Sequence, residues 1–237
     1  MTEWKAKRFW KVAQVIEEGD GFGVVLDTRP LRSPLKTAIS MPTRPLAEGV
    51  AAEWDAQGDI INPLSMPLTR AVNATLDRVM PQQPDVAANL LDYGGSDLLC
   101  YRAARPDTLV ALQDAAWNPL LDWLAETHGA RLAVTQGVIP VPQPANAVEM
   151  LRARVSSMTA WELTALSEFV TLSGSLVIAL AVMDGHIDPA TGWSTSRVDE
   201  NWQISQWGED ETEAELIARK EAAFHQAFTY LMLLRAG

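Results

Sequence analysis

Apolar and polar residues alternate along the first forty positions and then change to helical spacing after Pro42. The segments "FWKVAQVIEE" and "GFGVVLD" flank the turn signal "GDG", and Phe22, Val24 and Leu26 alternate with other residues, which predicts a β-hairpin. In "TRPLRSPLKTAISMP" the prolines break helices and punctuate short edge strands, so up to two further strands are expected. Beyond Pro42, Leu46, Val50 and Trp54 recur four apart on one helix face, with Gly58 as its end and Trp54 buried against the hairpin. Leu68, Val72, Leu76 and Val79 form a second stripe. The short, polar, proline-flanked "PQQP" that follows is the candidate boundary between an N-terminal domain, 1–83, and a C-terminal domain, 84–237.

Past Asp85 nearly every segment reads as helix. "PDTLVALQDAAWNPLLDWLAETHG" runs from Asp107 as N-cap to Gly129, with Pro119 expected to kink or divide it. "ARLAVTQGVIPVPQP" is an extended interruption. Asn146 with Glu149, and Thr159 with Glu162, fit the reciprocal pattern that opens a helix. "LVIALAVM" (176–183) is too short to span a bilayer and reads as a buried helix. The last helix is expected from about Asp210, with Ile217, Phe224, Phe228 and Leu231 facing inward. The pattern describes an α+β protein, a hairpin-based sheet with two helices followed by a mainly helical domain.

Composition narrows the function classes. Among 237 residues, 48% are hydrophobic and 21% charged, which suits a soluble globular chain long enough for a sizeable core. Net charge of −11 argues against nucleic acid as a partner, because phosphate binding needs clustered cations. The charge is uneven. Met1–Met41 holds seven basic and five acidic residues, whereas Asp188–Gly237 holds four basic and nine acidic, a separation suited to steering a partner. Cys100 is the only cysteine, so neither an internal disulfide nor a cysteine zinc cluster is possible. In "DLLCY" it reads as an inert buried thiol. The opening "MTEWKAKRFWKV" lacks the apolar core of a secretory signal, so a cytoplasmic, bacterial-type chain without a presequence is expected.

Motifs for catalysis are sparse. His128, His186 and His225 lie far apart without HExxH spacing, and each reads as a surface or capping residue. No GxSxG or GxxxxGK[ST] pattern occurs, "GDGFG" sits within a hairpin, and "DGHID" reads as a turn between helices. No catalytic residue, cofactor or metal is expected. The informative stretch is "VDENWQISQWGEDETEAELIARK" (198–220), with two tryptophans among seven carboxylates. Asp210 and Glu213 match an N-terminal cap, and Glu211 falls in the first helical turn, where negative charge offsets the helix dipole. If 197–207 is helical, Asp199, Gln203 and Gln206 form a polar stripe, and Val198 with Trp202 face the core. Glu200 then shares a partly apolar strip with Ile204 and Trp207, the composition of an interaction surface. An ordinary solvated glutamate fits that position equally.

"LDTRPLRSP", "VAAEWDAQ", "MPLTRAVNATLD", "DLLCYRA", "WNPLLDWLAETHGARLAVTQGV" and "SRVDENWQISQWGEDETEAEL" occur in that order across nearly the whole chain. Together they resemble the family of assembly chaperones for the F-type ATP synthase that binds the free alpha subunit of the catalytic head. Thr28 stands where that family is expected to carry glycine, and Ser33 where it is expected to carry threonine; Thr28 implies a turn without positive φ. The resemblance implies a small N-terminal α/β domain followed by a mainly helical orthogonal bundle. It also implies a holdase that covers the alpha-subunit surface until the beta subunit arrives, without hydrolysing ATP. Carried over to this sequence, the partner-binding residues are Glu200, Trp207, Glu209, Asp210, Glu211 and Glu213, with Glu200 and Glu209 foremost because capping does not account for them. The partner implied is the alpha subunit, with no nucleic acid or membrane insertion and a monomeric free chain. The competing reading is an enzyme using Glu200 with Glu209 or Asp210 as an acid/base pair.

Overall fold

The alternation around the "GDG" turn becomes, in the computed structural model, strands β1 (Ala13–Glu18) and β2 (Gly21–Leu26), antiparallel with Val15 opposite Val24. Gly21 permits a close approach there: a Cβ would lie 2.5 Å from the Met41 carbonyl oxygen, which accepts from Phe22 N–H. Strand β3 (Arg29–Pro30) adds antiparallel to β2 and completes a three-stranded sheet. The β2–β3 turn does contain a positive φ, but at Asp27 (56°) rather than at Thr28. The Asp27 carboxylate accepts from the backbone N–H groups of Lys11 and Val12, which secures that strained residue.

The structure describes residues 6–137 and 139–237. Met1–Lys5, within the opening segment read for a signal, and Val138, within the extended interruption, lie outside the described residues. The chain forms two compact units, Met1–Gln82 with Thr229–Gly237, and Gln83–Phe228. The last nine residues, Thr229–Gly237, belong to the first unit.

In the first unit, α1 (Arg44–Asp55) lies on β1 and β2 and buries Leu46 and Val50 completely. Thr43 caps it, and the Thr43 hydroxyl donates to the Leu233 carbonyl. Trp54 is half-buried rather than enclosed, its indole meeting the edge of Trp10 at 5.1 Å. Helix α2 (Pro67–Ala74) lacks a cap of its own. Glu53 of α1 supplies one, accepting from Leu68 N–H, Thr69 N–H and the Thr69 hydroxyl at 2.7–2.8 Å. The expected stripe of Leu68, Val72, Leu76 and Val79 is buried.

The "PQQP" stretch is helical. Residues 75–79 widen into a π turn, 80–82 tighten into a 3₁₀ turn, and α3 (Gln83–Gly95) begins at once. A change of helical pitch accommodates the N–H that Pro81 lacks, and Pro84 falls in the first turn of α3, where a missing donor is harmless.

The second unit holds the remaining helices except the end of the last one, which belongs to the first unit. A short parallel pair joins β4 (Tyr101–Arg102) to β5 (Thr135–Gln136) within the expected extended interruption. Helix α4 (Asp107–His128) is one uninterrupted helix despite Pro119. Asp107 is its first residue, with Pro106 at the cap position, and Gly129 ends it at φ 67°. Likewise α5 (Ala145–Ser156) starts one residue before Asn146, leaving that side chain inside the helix and not capping it. The Thr159–Glu162 box opens α6 (Ala160–Ser173) with both reciprocal bonds present.

Helix α7 (Leu176–Met183) is buried at all eight positions, as a helix apolar on every side must be. The fully buried Asp97 accepts from Ser175 Oγ, Val177 N–H and Leu99 N–H, holding the start of α7 and the 3₁₀ turn at 98–100 together. Asp184, Gly185 and Asp188 form the expected turn to α8 (Pro189–Ser196), which Asp188 caps.

Candidate partner-binding surface

Arg197 separates α8 from α9 (Val198–Trp207), and Gly208, at φ 89°, ends α9 where a side chain would be strained. Asp210 then opens α10 (Glu211–Arg235) by accepting from Thr212 N–H at 2.8 Å and Glu213 N–H at 3.2 Å. The expected cap is present. Glu211 and Glu213 occupy the first turn, where negative charge is stabilising. Glu209 stands before the cap, exposed.

No residue of α9 is buried. Val198, Trp202 and Ile204 are half-covered, and Trp207 is 75% exposed with its ring against the edge of Trp202 at 5.6 Å. Among the described residues that makes an open aromatic-aliphatic strip bordered by Glu209, Asp210, Glu211 and Glu213, all exposed. Two side chains depart from the linear reading. Asp199, expected on a solvent-facing stripe, is half-buried and accepts from Gln113 of α4 at 2.6 Å. Glu200 is paired with Arg197 at 3.2 Å, its side chain 42% exposed. Arg197 is itself largely covered and lies 5.7 Å from the Trp193 ring centre. A single half-exposed pair of this kind contributes at most about 1 kcal/mol, so Glu200 stays available for exchange with a partner's cation.

Glu209, Asp210, Glu211 and Glu213 are exposed along the α9–α10 edge, and Glu200 is half-exposed. Among the described residues, a cleft of about 280 Å³ bordered by Leu121, Asp122, Arg131 and Leu132 contains none of these carboxylates. Among the described residues no group of three or more His, Cys, Asp or Glu side chains is placed to hold a metal ion. Burial, with help from Asp97, pushes the Cys100 thiol up to about 12, so it is no nucleophile near neutrality.

One grouping was hidden from sequence spacing. His128 and His186 both meet Trp123, His128 edge-on at 5.2 Å and His186 stacked at 4.8 Å. Asp184 bridges His128 (2.9 Å) and Arg154 (2.7 Å). Histidines 58 positions apart in the chain offer no local pattern that could have revealed this.

Residues 7–125 match the family described as ATP12 chaperone protein. The crystal structure of Atp12 from Paracoccus denitrificans superposes with a TM-score of 0.94 at 46% identity, over 98% of this chain and all of that one. The chain belongs to the ATP12 chaperone family. This is the family its motifs resemble, the assembly chaperones of the ATP synthase. Among other ATP12 relatives, the mitochondrial atp12 protein of Schizosaccharomyces pombe is 24% identical over 85% of this chain and 74% of its own length. The structure of the Agrobacterium tumefaciens protein Atu1473 matches at TM-score 0.92 and 37% identity, covering 96% of this chain and 86% of that one. ATP12 membership points to a chaperone and away from catalysis. The family match ends before α9.

Proposed function

We propose that this chain is an ATP-independent assembly chaperone that binds the free alpha subunit of the F-type ATP synthase and keeps it from aggregating until the beta subunit arrives. The observation that carries this reading is the α9–α10 edge, where Trp207 stands 75% exposed beside four exposed carboxylates. A half-covered aromatic strip supplies apolar contact, and its acidic border selects a client surface rich in Lys and Arg. Glu200, Trp207, Glu209, Asp210, Glu211 and Glu213 are the residues assigned to it. The acid/base reading for Glu200 with Glu209 or Asp210 receives no support, because a general acid and base must converge on one reacting group within hydrogen-bond reach. The chaperone acts in the cytoplasm as a monomer until it meets its client. No helix among the described residues is long and apolar enough to cross a membrane.

Co-expression with the alpha subunit alone tests the reading. The subunit is expected to stay soluble and to co-purify, and the complex to weaken as salt rises. An alpha subunit that precipitates regardless of this chain would sink the proposal.

A further inference from the structure

The tip between β3 and the Arg32–Ala38 bridge is held more firmly than a surface turn requires. Lys36 N–H donates to Ser33 O at 2.9 Å and Ser33 N–H to Thr37 O at 3.0 Å, so Pro34, Leu35 and Lys36 form a three-residue loop. Such loops place their last residue in the left-handed region, normally glycine. Here that residue is Lys36, at φ 71°. A cation stands where glycine would be unstrained, an outlier that directs attention to the side chain. A second element clamps the loop. Asp77, in the π turn after α2, accepts from Ser33 Oγ at 2.6 Å, Leu35 N–H at 3.0 Å and Thr37 Oγ1 at 3.1 Å.

The clamp holds Leu35 outward, 71% exposed. Arg32 and Lys36 flank it, both exposed and neither in an ion pair among the described residues. Arg32 Nη1 also donates to the Lys36 carbonyl at 2.9 Å, which fixes the arginine against the loop. A leucine on a rigid mount loses little further freedom on docking, so more of its burial appears as affinity. Its two flanking cations, in a chain of net charge −11, specify a partner surface of opposite sign.

We infer that this tip is a second client-docking element: Leu35 enters an apolar pocket of the client polypeptide whose rim carries carboxylates that pair with Arg32 and Lys36. The inference rests on the reading that the chain holds an alpha-subunit client, and it adds a contact of opposite charge to the acidic edge. The test uses the full chain and urea-unfolded alpha subunit diluted into buffer. With a benzophenone amino acid in place of Leu35, irradiation is expected to join the chaperone to the subunit. The double variant Leu35→Ser/Lys36→Gly keeps the left-handed turn comfortable, so its melting temperature should match or exceed wild type. Its affinity for the subunit should nevertheless fall about tenfold or more. A double variant that binds within twofold of wild type overturns the tip while leaving the chaperone reading intact. So does a photoproduct joining two copies of this chain instead of chain and client. A wild-type chain that fails to hold the subunit overturns both.

Discussion

Helices α7 and α9 are of similar length and opposite character: eight of eight residues buried in one, none of ten in the other. Helix α7 has no polar face, and its beginning is held by the enclosed Asp97 carboxylate. Helix α9 keeps a tryptophan in solvent, ends at a glycine with φ 89°, and leads straight into an acid-capped helix. The first is a packing element whose residues interact with the protein itself. The second leaves apolar and charged area uncovered, area that a partner can remove from water.

Truncation at matched positions should break the resemblance most sharply. Leu180→Ala in α7 removes a side chain with no exposed surface and should cost about 2–5 kcal/mol, read from urea unfolding. Ile204→Ala in α9 should cost less than about 1 kcal/mol, because that side chain is only partly covered. Equal losses at the two sites would show that α9 belongs to the core.

Proton linkage sharpens the contrast from the α7 side. Burial raises the Asp97 carboxyl from 3.8 to about 6, against the hydrogen bonds from Val177, Ser175, Leu99 and Leu176 that favour its charge. Between roughly pH 4 and 6 the folded chain therefore binds more protons at this site than the unfolded chain. Its contribution to stability is full below pH 4 and is lost as pH rises through 6. Asp97→Asn should flatten that part of the stability–pH curve relative to wild type. A slope unchanged by the substitution would show that Asp97 does not titrate there.

Smaller effects are expected where α10 begins. Asp210→Ala removes the cap and should cost about 0.5–2 kcal/mol, whereas Asp210→Asn retains an accepting oxygen and should melt almost unchanged. The smallest stability change belongs to Glu200→Gln/Glu209→Gln, within about 0.5 kcal/mol of wild type. That double variant should nonetheless fail to keep the alpha subunit soluble. If it holds the client normally while Asp210→Ala does not, recognition lies in the capped turn and not in the two glutamates.

Much of this molecule was written locally. Alternation made the hairpin; four-residue spacing made α1 and the buried stripe of α2; an all-apolar run made α7. The Thr159–Glu162 and Asp210 caps were legible because each joins groups no more than three residues apart. Local reading failed where several local solutions were available. The prolines at 81 and 84 gave no sign that π and 3₁₀ turns carry the helix through them. Asn146 had a capping pattern, but the helix had already begun at Ala145.

The candidate site divides in the same way. Its acid-rich composition, exposed Trp207 and cap were readable from residue order. Tertiary structure alone decided that Asp199 would turn to Gln113, 86 residues away. It alone brought His128 and His186 to Trp123, and gave the last nine residues to the first unit, where the Tyr230 hydroxyl lies 3.2 Å from that of Thr75. The physical reason is reach. Periodicity and capping act within a turn or two of chain, where spacing fixes geometry; a hydrogen bond between distant residues depends on how whole elements pack, and no spacing along the chain encodes it.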